Sequence, residues 1–209
     1  TLGGASAGSE GYKRQAGHEA DHIILATGAR PRDLAGVPVD GKMVLNSRSA
    51  LVLDRLPESM IVIGSGAIGS EFAFLYASLG VKVTIIEYLP NMMPLEDEEV
   101  SKYMERSFRK IKATIMTGTA VKSVKADEAA NKCYVEIEGK KGAETLEAEM
   151  VLCAAGVKSN IENLGLEEVG VKVERDKVMV DEYGTTNVKG IYAIGDLTVS
   201  PALAHVASA

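Results

Sequence analysis

Three rhythms of apolar and polar residues follow one another along the chain, and their order predicts an architecture. Short, nearly unbroken apolar runs at 22–28, 60–63, 150–155 and 190–196, with a more alternating one at 81–87, read as strands, most of them covered on both faces. A helical rhythm fills 67–79, apolar on almost every side, and Gly80 is its stop signal. A second helix starts from Asp97 as N-cap, with Glu98 and Glu99 in the first turn, where the positive end of the helix favours them. Val100, Tyr103, Met104, Phe108 and Ile111 recur along it at helical spacing, which predicts an amphipathic, half-exposed element. Alternating residues at 121–124, 133–137 and 145–148, separated by charged or Gly-containing turns, predict an antiparallel meander.

Strand and helix patterns alternate from about 58 to 180, as they do when a parallel sheet is built with crossover helices. The fold class predicted is therefore α/β, with a central parallel sheet and an antiparallel meander, and the self-contained domain is 58–180. Residues 1–57 and 181–209 flank it, each with one apolar strand and no local neighbour for it, so the runs at 22–28 and 190–196 are expected to belong together. Residues 1–20, rich in Gly, Ser and Ala, read as a lead-in without a sustained apolar period. The chain starts with Thr1 and breaks off at Ala209 in what reads as the start of a helix, so a fragment is expected.

Composition narrows the function. At 46% hydrophobic and 25% charged residues the chain has the make-up of a globular protein. A formal charge of −6 supplies no broad positive field for a phosphate backbone, so nucleic acid is not an expected partner. No apolar run reaches the roughly 20 residues of a bilayer span, and no membrane partner is expected. Cys133 and Cys153 stand twenty residues apart among apolar neighbours, outside any CxxC or CxxxxC pair, and read as buried structural thiols in a reducing compartment. His18, His22 and His205 have no metal-like spacing and no Ser or Cys partner. No metal site and no catalytic side chain is predicted.

The chemistry lies in Gly64-Ser65-Gly66-Ala67-Ile68-Gly69, a G-x-G-x-x-G between an apolar strand and a helix. In that setting the first glycine permits the tight turn, the second lets backbone approach a pyrophosphate, and the third lets helix pack on strand. The N–H groups opening the helix then face the phosphates. A glycine turn serving packing alone is the bland alternative. Glu87 ends the next strand, eighteen residues beyond Gly69, where a carboxylate can accept from both adenosine ribose hydroxyls and repel a 2′-phosphate. No Arg follows within 88–93, so NAD is expected rather than NADP; a solvated strand-end Glu is the alternative. Glu71, on an otherwise apolar stretch of helix, either faces a ligand or stands in solvent near the helix N-terminus, and spacing alone leaves both open.

These stretches resemble the central portion of the dihydrolipoamide dehydrogenases, flavoproteins of the pyridine nucleotide-disulfide oxidoreductase family. The resemblance is carried by residues 24–31, the fingerprint 64–71, Glu87-Tyr88-Leu89-Pro90 with Met93-Pro94 and Asp97, residues 186–196, and Leu203-Ala204-His205. It implies a Rossmann-like FAD/NAD(P)-binding fold in which an NAD domain is inserted into an FAD domain. It further implies that Thr27, Gly28 and Ala29 lie at the join of those domains, that Asp196 holds the ribityl chain of FAD, and that Ala202, Leu203, Ala204 and His205 approach its isoalloxazine end. On the NAD side it implies a cleft lined by Gly64, Ser65, Gly66, Ala67, Ile68, Glu71, Glu87, Val121, Ala154, Ala155 and Gly156, with Glu71 near the nicotinamide.

The implied reaction carries electrons from the dihydrolipoyl group of a carrier protein, in a 2-oxo acid dehydrogenase or glycine cleavage complex, through a disulfide and FAD to NAD⁺. The redox disulfide, the catalytic His-Glu pair and a homodimer interface would lie outside these residues. A cytoplasmic location is implied, or the mitochondrial matrix in a eukaryote. Where the family has A-x-G-R-x-P-N, this chain has Ala154-Ala155-Gly156-Val157-Lys158-Ser159-Asn160, without the Arg and Pro. The alternatives are another branch of the same family, of the mercuric reductase or soluble transhydrogenase type, and, from a different class, a nucleotide-binding sensor without redox chemistry.

Overall fold

A computed structural model describes residues 18–208. The lead-in expected at 1–20 therefore falls largely outside the described residues. By internal contacts the chain divides into two compact units: residues up to Arg30 together with those from Val157 onward form one, and Pro31–Gly156 form the other. The division falls after Arg30 and after Gly156, whereas the sequence pattern places its boundaries at 57 and 180. Along the chain come β1 (Ile23–Leu25) and β2 (Ala29–Pro31), then in the second unit β3 (Val44–Leu45), α1 (Ser47–Ala50), β4 (Ser59–Ile63), α2 (Ala67–Ser78), β5 (Lys82–Ile86), α3 (Glu98–Lys110) and β6 (Thr114–Met116). There follow β7 (Ala120–Asp127), β8 (Lys132–Gly139), β9 (Gly142–Ala148) and β10 (Met150–Cys153), and back in the first unit β11 (Val157–Ser159), β12 (Val173–Glu174), β13 (Lys177–Val178), β14 (Ile191–Ala193) and α4 (Ala204–Ala207).

The second unit is built on a five-stranded sheet in the order β3-β10-β4-β5-β6. Every pairing in it is parallel. Its central strands are apolar on both faces because each face is covered. Met60, Val62, Val83, Ile85 and Leu152 pack on one side with Ala73, Tyr76 and Phe108 of the helices. Ile61, Ile63, Ile86, Val151 and Cys153 pack on the other with Val124, Val135 and Ile137 of the meander β7-β8-β9. The meander is antiparallel throughout, with a bulge between Val121 and Ser123. Residues 31–57, which the sequence pattern places in the first flanking segment, lie in this unit, where Val44 and Leu45 of β3 extend the sheet beside β10.

Local chemistry sets the helix ends. At the close of α2 the Gly80 N–H bonds to Ala77 O and the Val81 N–H to Tyr76 O, both at 3.0–3.1 Å. This is the Schellman arrangement, and Gly80 takes its left-handed conformation at φ +92°. Asp97 Oδ1 accepts from the Glu99 N–H and caps α3 as expected. The face of α3 differs from the sequence expectation. Ser101 and Phe108 are its buried residues and Met104 and Ile111 pack beside them, while Val100 and Tyr103 are exposed. The buried stripe is thus 101, 104, 108 and 111, and the two outlying apolar residues sit one position off it.

In the first unit β1 and β14 form a parallel pair, Ile23 opposite Ile191 and Leu25 opposite Ala193, so the two flanking runs do meet. Leu166, Val171, Val178, Ile191, Ala193 and Leu197 form the core of this unit. Both cysteines are buried free thiols. Burial pushes the Cys133 thiol up to about 11, helped by the charge of Asp40, and burial likewise raises Cys153. Both stay protonated at neutral pH, and a thiolate is the reactive form. We expect neither to react with an aromatic disulfide reagent within minutes on the folded chain and both to react in denaturant; release of one equivalent from the native protein would contradict this burial.

Candidate functional site

The parallel strands of the second unit end together. Cys153 of β10 lies opposite Ile63 of β4, Ile63 opposite Ile86 of β5, and Ile86 opposite Met116 of β6. From β4 the chain proceeds outward through α2 to β5 and through α3 to β6, then crosses by way of the meander to β10 on the other side of β4. The order reverses between β4 and β10. In open α/β sheets the crevice outside the carboxyl ends at such a reversal is where ligands bind. The loops that emerge there are Gly64–Gly66 from β4 and Ala154–Gly156 from β10.

The three fingerprint glycines have three separate reasons. Gly64 has φ +98°, and a Cβ on it would stand 2.5 Å from Ala154 O. On Gly69 a Cβ would stand 2.0 Å from Gly64 O and 3.3 Å from the Ala154 Cβ. These two, with buried Ala154, pack helix, turn and neighbouring strand together. Gly66 is different. It is the N-cap of α2 at φ −63°, ψ −175°, a conformation open to any residue, and a Cβ on it would meet no heavy atom within 4 Å. No side chain caps the helix there and no acidic residue occupies its first turn. Protein packing therefore gives no reason for glycine at 66, while free N–H groups and the positive end of a 12-residue helix open onto the same space.

Glu87 and Ser65 are joined. The Ser65 N–H and Oγ–H donate to Glu87 Oε2 at 2.9 and 2.8 Å, and the Leu89 N–H donates to Oε1 at 2.8 Å. Glu87 is 7% exposed and Ser65 completely buried. A carboxylate offers about four acceptor positions, so these donors leave about one, on Oε1. The sequence reading gave Glu87 two ribose hydroxyls, but the geometry has room for one without displacing a protein donor. Ser65, expected among the residues lining the cleft, stands behind the loop with no exposed surface.

The other expected residues are placed as follows. Ala67 and Gly156 are exposed and Ile68 and Ala155 half-buried at the ends of β4 and β10. Glu71 is on the exposed side of α2. Val121 is half-buried in β7 opposite Ile137, against the meander core. In the first unit Asn160 organises the segment that includes Thr27, Gly28 and Ala29. Its N–H donates to Gly28 O at 2.9 Å and its Nδ2 to Thr27 O at 2.9 Å, while the Thr27 hydroxyl donates to Asn160 O at 2.6 Å. Ala29 lies in β2, which pairs with β11. Asn160 is the residue the sequence reading passed over, although it is the last letter of the departing A-x-G-R-x-P-N. Arg30 reinforces it, donating to Asn160 Oδ1 at 2.9 Å and pairing with Glu162. Asp196 is the middle residue of the short 3-10 turn Gly195–Leu197, its backbone O accepting from Lys177 Nζ at 2.5 Å, and Ala202, Leu203, Ala204 and His205 are all exposed around the start of α4. Among the described residues no cluster of His, Cys, Asp or Glu could hold a metal ion, and no helix is long and apolar enough to cross a membrane.

This geometry meets a consistent set of known proteins. The model for the pyridine nucleotide-disulphide oxidoreductases matches residues 7–209. A dihydrolipoyl dehydrogenase from Rhizobium etli is 46% identical over 195 residues, which is 93% of this chain and 40% of that protein. One from Bacillus subtilis is 41% identical over 89% of this chain and 39% of its own length. The chain thus spans about two-fifths of these curated relatives. Among solved structures, LpdA from Mycobacterium tuberculosis superposes with a TM-score of 0.82 at 36% identity, covering 91% of this chain and 41% of that one. The HOCl-induced flavoprotein disulfide reductase RclA from Escherichia coli superposes with a TM-score of 0.76 at 28% identity, covering 89% of this chain and 42% of that one. With a match that takes in nearly its whole length and a Rossmann-like α/β fold to go with it, this chain belongs to the pyridine nucleotide-disulphide oxidoreductase family.

Proposed function

We propose that this chain is the NAD-binding portion of a dihydrolipoyl dehydrogenase-type flavoprotein. The observation that carries the reading is Gly66, a glycine that packing does not require, at the uncapped start of α2 and beside the strand-order reversal. In the family FAD and NAD, when bound, supply the two-electron chemistry, and the protein supplies placement and electrostatics. The residues present fit the second of these groups. The N–H groups opening α2 would receive the diphosphate, Glu87 would accept from an adenosine ribose hydroxyl and oppose a 2′-phosphate, and Ala154–Gly156 would form the opposite lip. Glu71, exposed on the first turns of α2, would stand on the nicotinamide side. Thr27–Ala29, Asp196 and Ala202–His205 would contribute to the FAD site.

Cys133 and Cys153 cannot be the disulfide of this reaction, since both are buried free thiols. The electron donor is a dihydrolipoyl group on a carrier protein of a 2-oxo acid dehydrogenase or glycine cleavage complex, and the whole enzyme works as a homodimer in the bacterial cytoplasm. The names of the relatives, 40–46% identical, support this branch over the mercuric reductase and transhydrogenase types. Titration calorimetry with NADH on the 209-residue chain tests the coenzyme site. Glu87→Ala is expected to weaken binding by about tenfold or more, the value of a hydrogen bond to a charged group. Glu87→Gln keeps the volume and one acceptor oxygen, and should relax the preference for NADH over NADPH. Wild-type affinity and preference in both variants would remove Glu87 from the site.

A further inference from the structure

Ser65 occupies the variable position of the fingerprint, yet its side chain is fully used. Its hydroxyl proton goes to Glu87 Oε2 at 2.8 Å, and its Oγ accepts from the Met93 N–H at 3.2 Å. Its backbone joins in, the N–H donating to the same Oε2 at 2.9 Å and the O accepting from the Ser70 hydroxyl at 2.9 Å and from the Met93 N–H at 3.2 Å. Met93 turns back toward Ser65 in the left-handed region, at φ +45°. One buried serine thus ties the glycine loop to both ends of the segment 87–93.

The consequence concerns the direction of the carboxylate. Two donors converge on Oε2 and one on Oε1. This asymmetry fixes the rotation of the carboxylate about its terminal bond, a torsion that is otherwise broad, and leaves its open acceptor position on Oε1. A single fixed acceptor suits a hydroxyl donor. It is also a fixed negative charge against a phosphate at the same place.

We propose that Ser65 is a positioning residue for coenzyme selection: by holding Oε2 of Glu87 it presents Oε1 to a ribose 2′-hydroxyl and enforces rejection of a 2′-phosphate. This deepens the assignment of the coenzyme site and rests on it. Without the hydroxyl, Oε2 keeps only the backbone donor, the carboxylate rotates more freely, and discrimination falls even though the charge remains.

The test measures dissociation constants for NADH and NADPH by coenzyme fluorescence on wild type, Ser65→Ala, Glu87→Gln and the double variant, with thermal melting as a check on folding. The readout is the ratio of the NADPH constant to the NADH constant within each protein, which a general loss of folded material does not move. Ser65→Ala is expected to lower the ratio about three- to tenfold, in keeping with loss of one hydrogen bond to a charged acceptor. In the Glu87→Gln background the same substitution should leave the ratio unchanged, since the residue acts through that carboxylate. A wild-type ratio in Ser65→Ala, or the same fall with and without Glu87, would overturn the proposal. A wild-type ratio in Glu87→Gln would instead overturn the assignment of the ribose site on which it rests.

Discussion

Gly66→Ala is expected to weaken NADH binding on the order of 100-fold while leaving the melting temperature nearly unchanged. The backbone at 66 is already in a region that alanine adopts, and the added methyl meets no protein atom within 4 Å. Two small effects on stability oppose each other. Alanine is a poorer N-cap than glycine, by a fraction of a kcal/mol to about 1, and replacing glycine in a compatible conformation restricts the unfolded chain by about 0.4–1 kcal/mol. The net change in folding is therefore within about 1 kcal/mol. Binding has no such compensation. The methyl stands in the space where the diphosphate must come within hydrogen-bonding distance of the α2 amides, and a displacement of about 1 Å from the productive position costs roughly two orders of magnitude. Calorimetry and a thermal melt on one preparation decide the matter: unaltered NADH affinity in a folded Gly66→Ala protein would mean that nothing approaches this backbone, and the glycine turn would then serve packing alone.

What could be read from the sequence here is what is decided locally. The run β4, glycine turn, α2, Gly80, β5 is contiguous, and each part has a short-range cause: an apolar run, a turn that needs φ above zero, and a Schellman close. The pairing of β1 with β14 was legible for another reason, since a doubly apolar strand without a local neighbour must find a distant one. The missed features all depend on contacts between segments far apart in the chain. Val44 and Leu45 make too short a strand to show a pattern, and only their place beside β10 defines them. Asn160 looks like any loop residue until its bonds to Thr27 and Gly28 are seen. Ser65 is a neutral choice in a G-x-G pattern, and its importance follows from Glu87 and Met93 folding back over it. On α3 the pattern gave the right helix and a face one position too wide, because Val100 and Tyr103 share the rhythm of the buried stripe without lying on it.

The same substitution three residues further on should act first on folding. Gly69→Ala is expected to destabilise the second unit by about 3 kcal/mol or more, the upper end for overpacking, because the new methyl meets rigid backbone. Its Cβ would stand 2.0 Å from Gly64 O and 3.0 Å from Gly64 C, with the Ala154 Cβ at 3.3 Å closing the other side. No rotamer change relieves such a contact. Either α2 lifts from β4 or the turn at Gly64 moves, and that turn has little freedom, since its own N–H is bonded to Ile86 O at 2.8 Å and its φ is +98°. Lifting α2 also loosens Ala73 and Tyr76 from the core they share with Met60 and Val83. For a chain of this size each kcal/mol is worth roughly 2–4 °C, so the melting temperature should fall by about 6–12 °C. Coenzyme binding falls with it, because the loop that carries Gly66 moves as well. The pair of variants thus separates two roles inside one motif: at 66 the melt is kept and the ligand lost, at 69 both are lost. A Gly69→Ala protein melting within about 2 °C of wild type, less than the shift for 1 kcal/mol, would show that helix and turn have slack there, and close packing would no longer explain the third glycine.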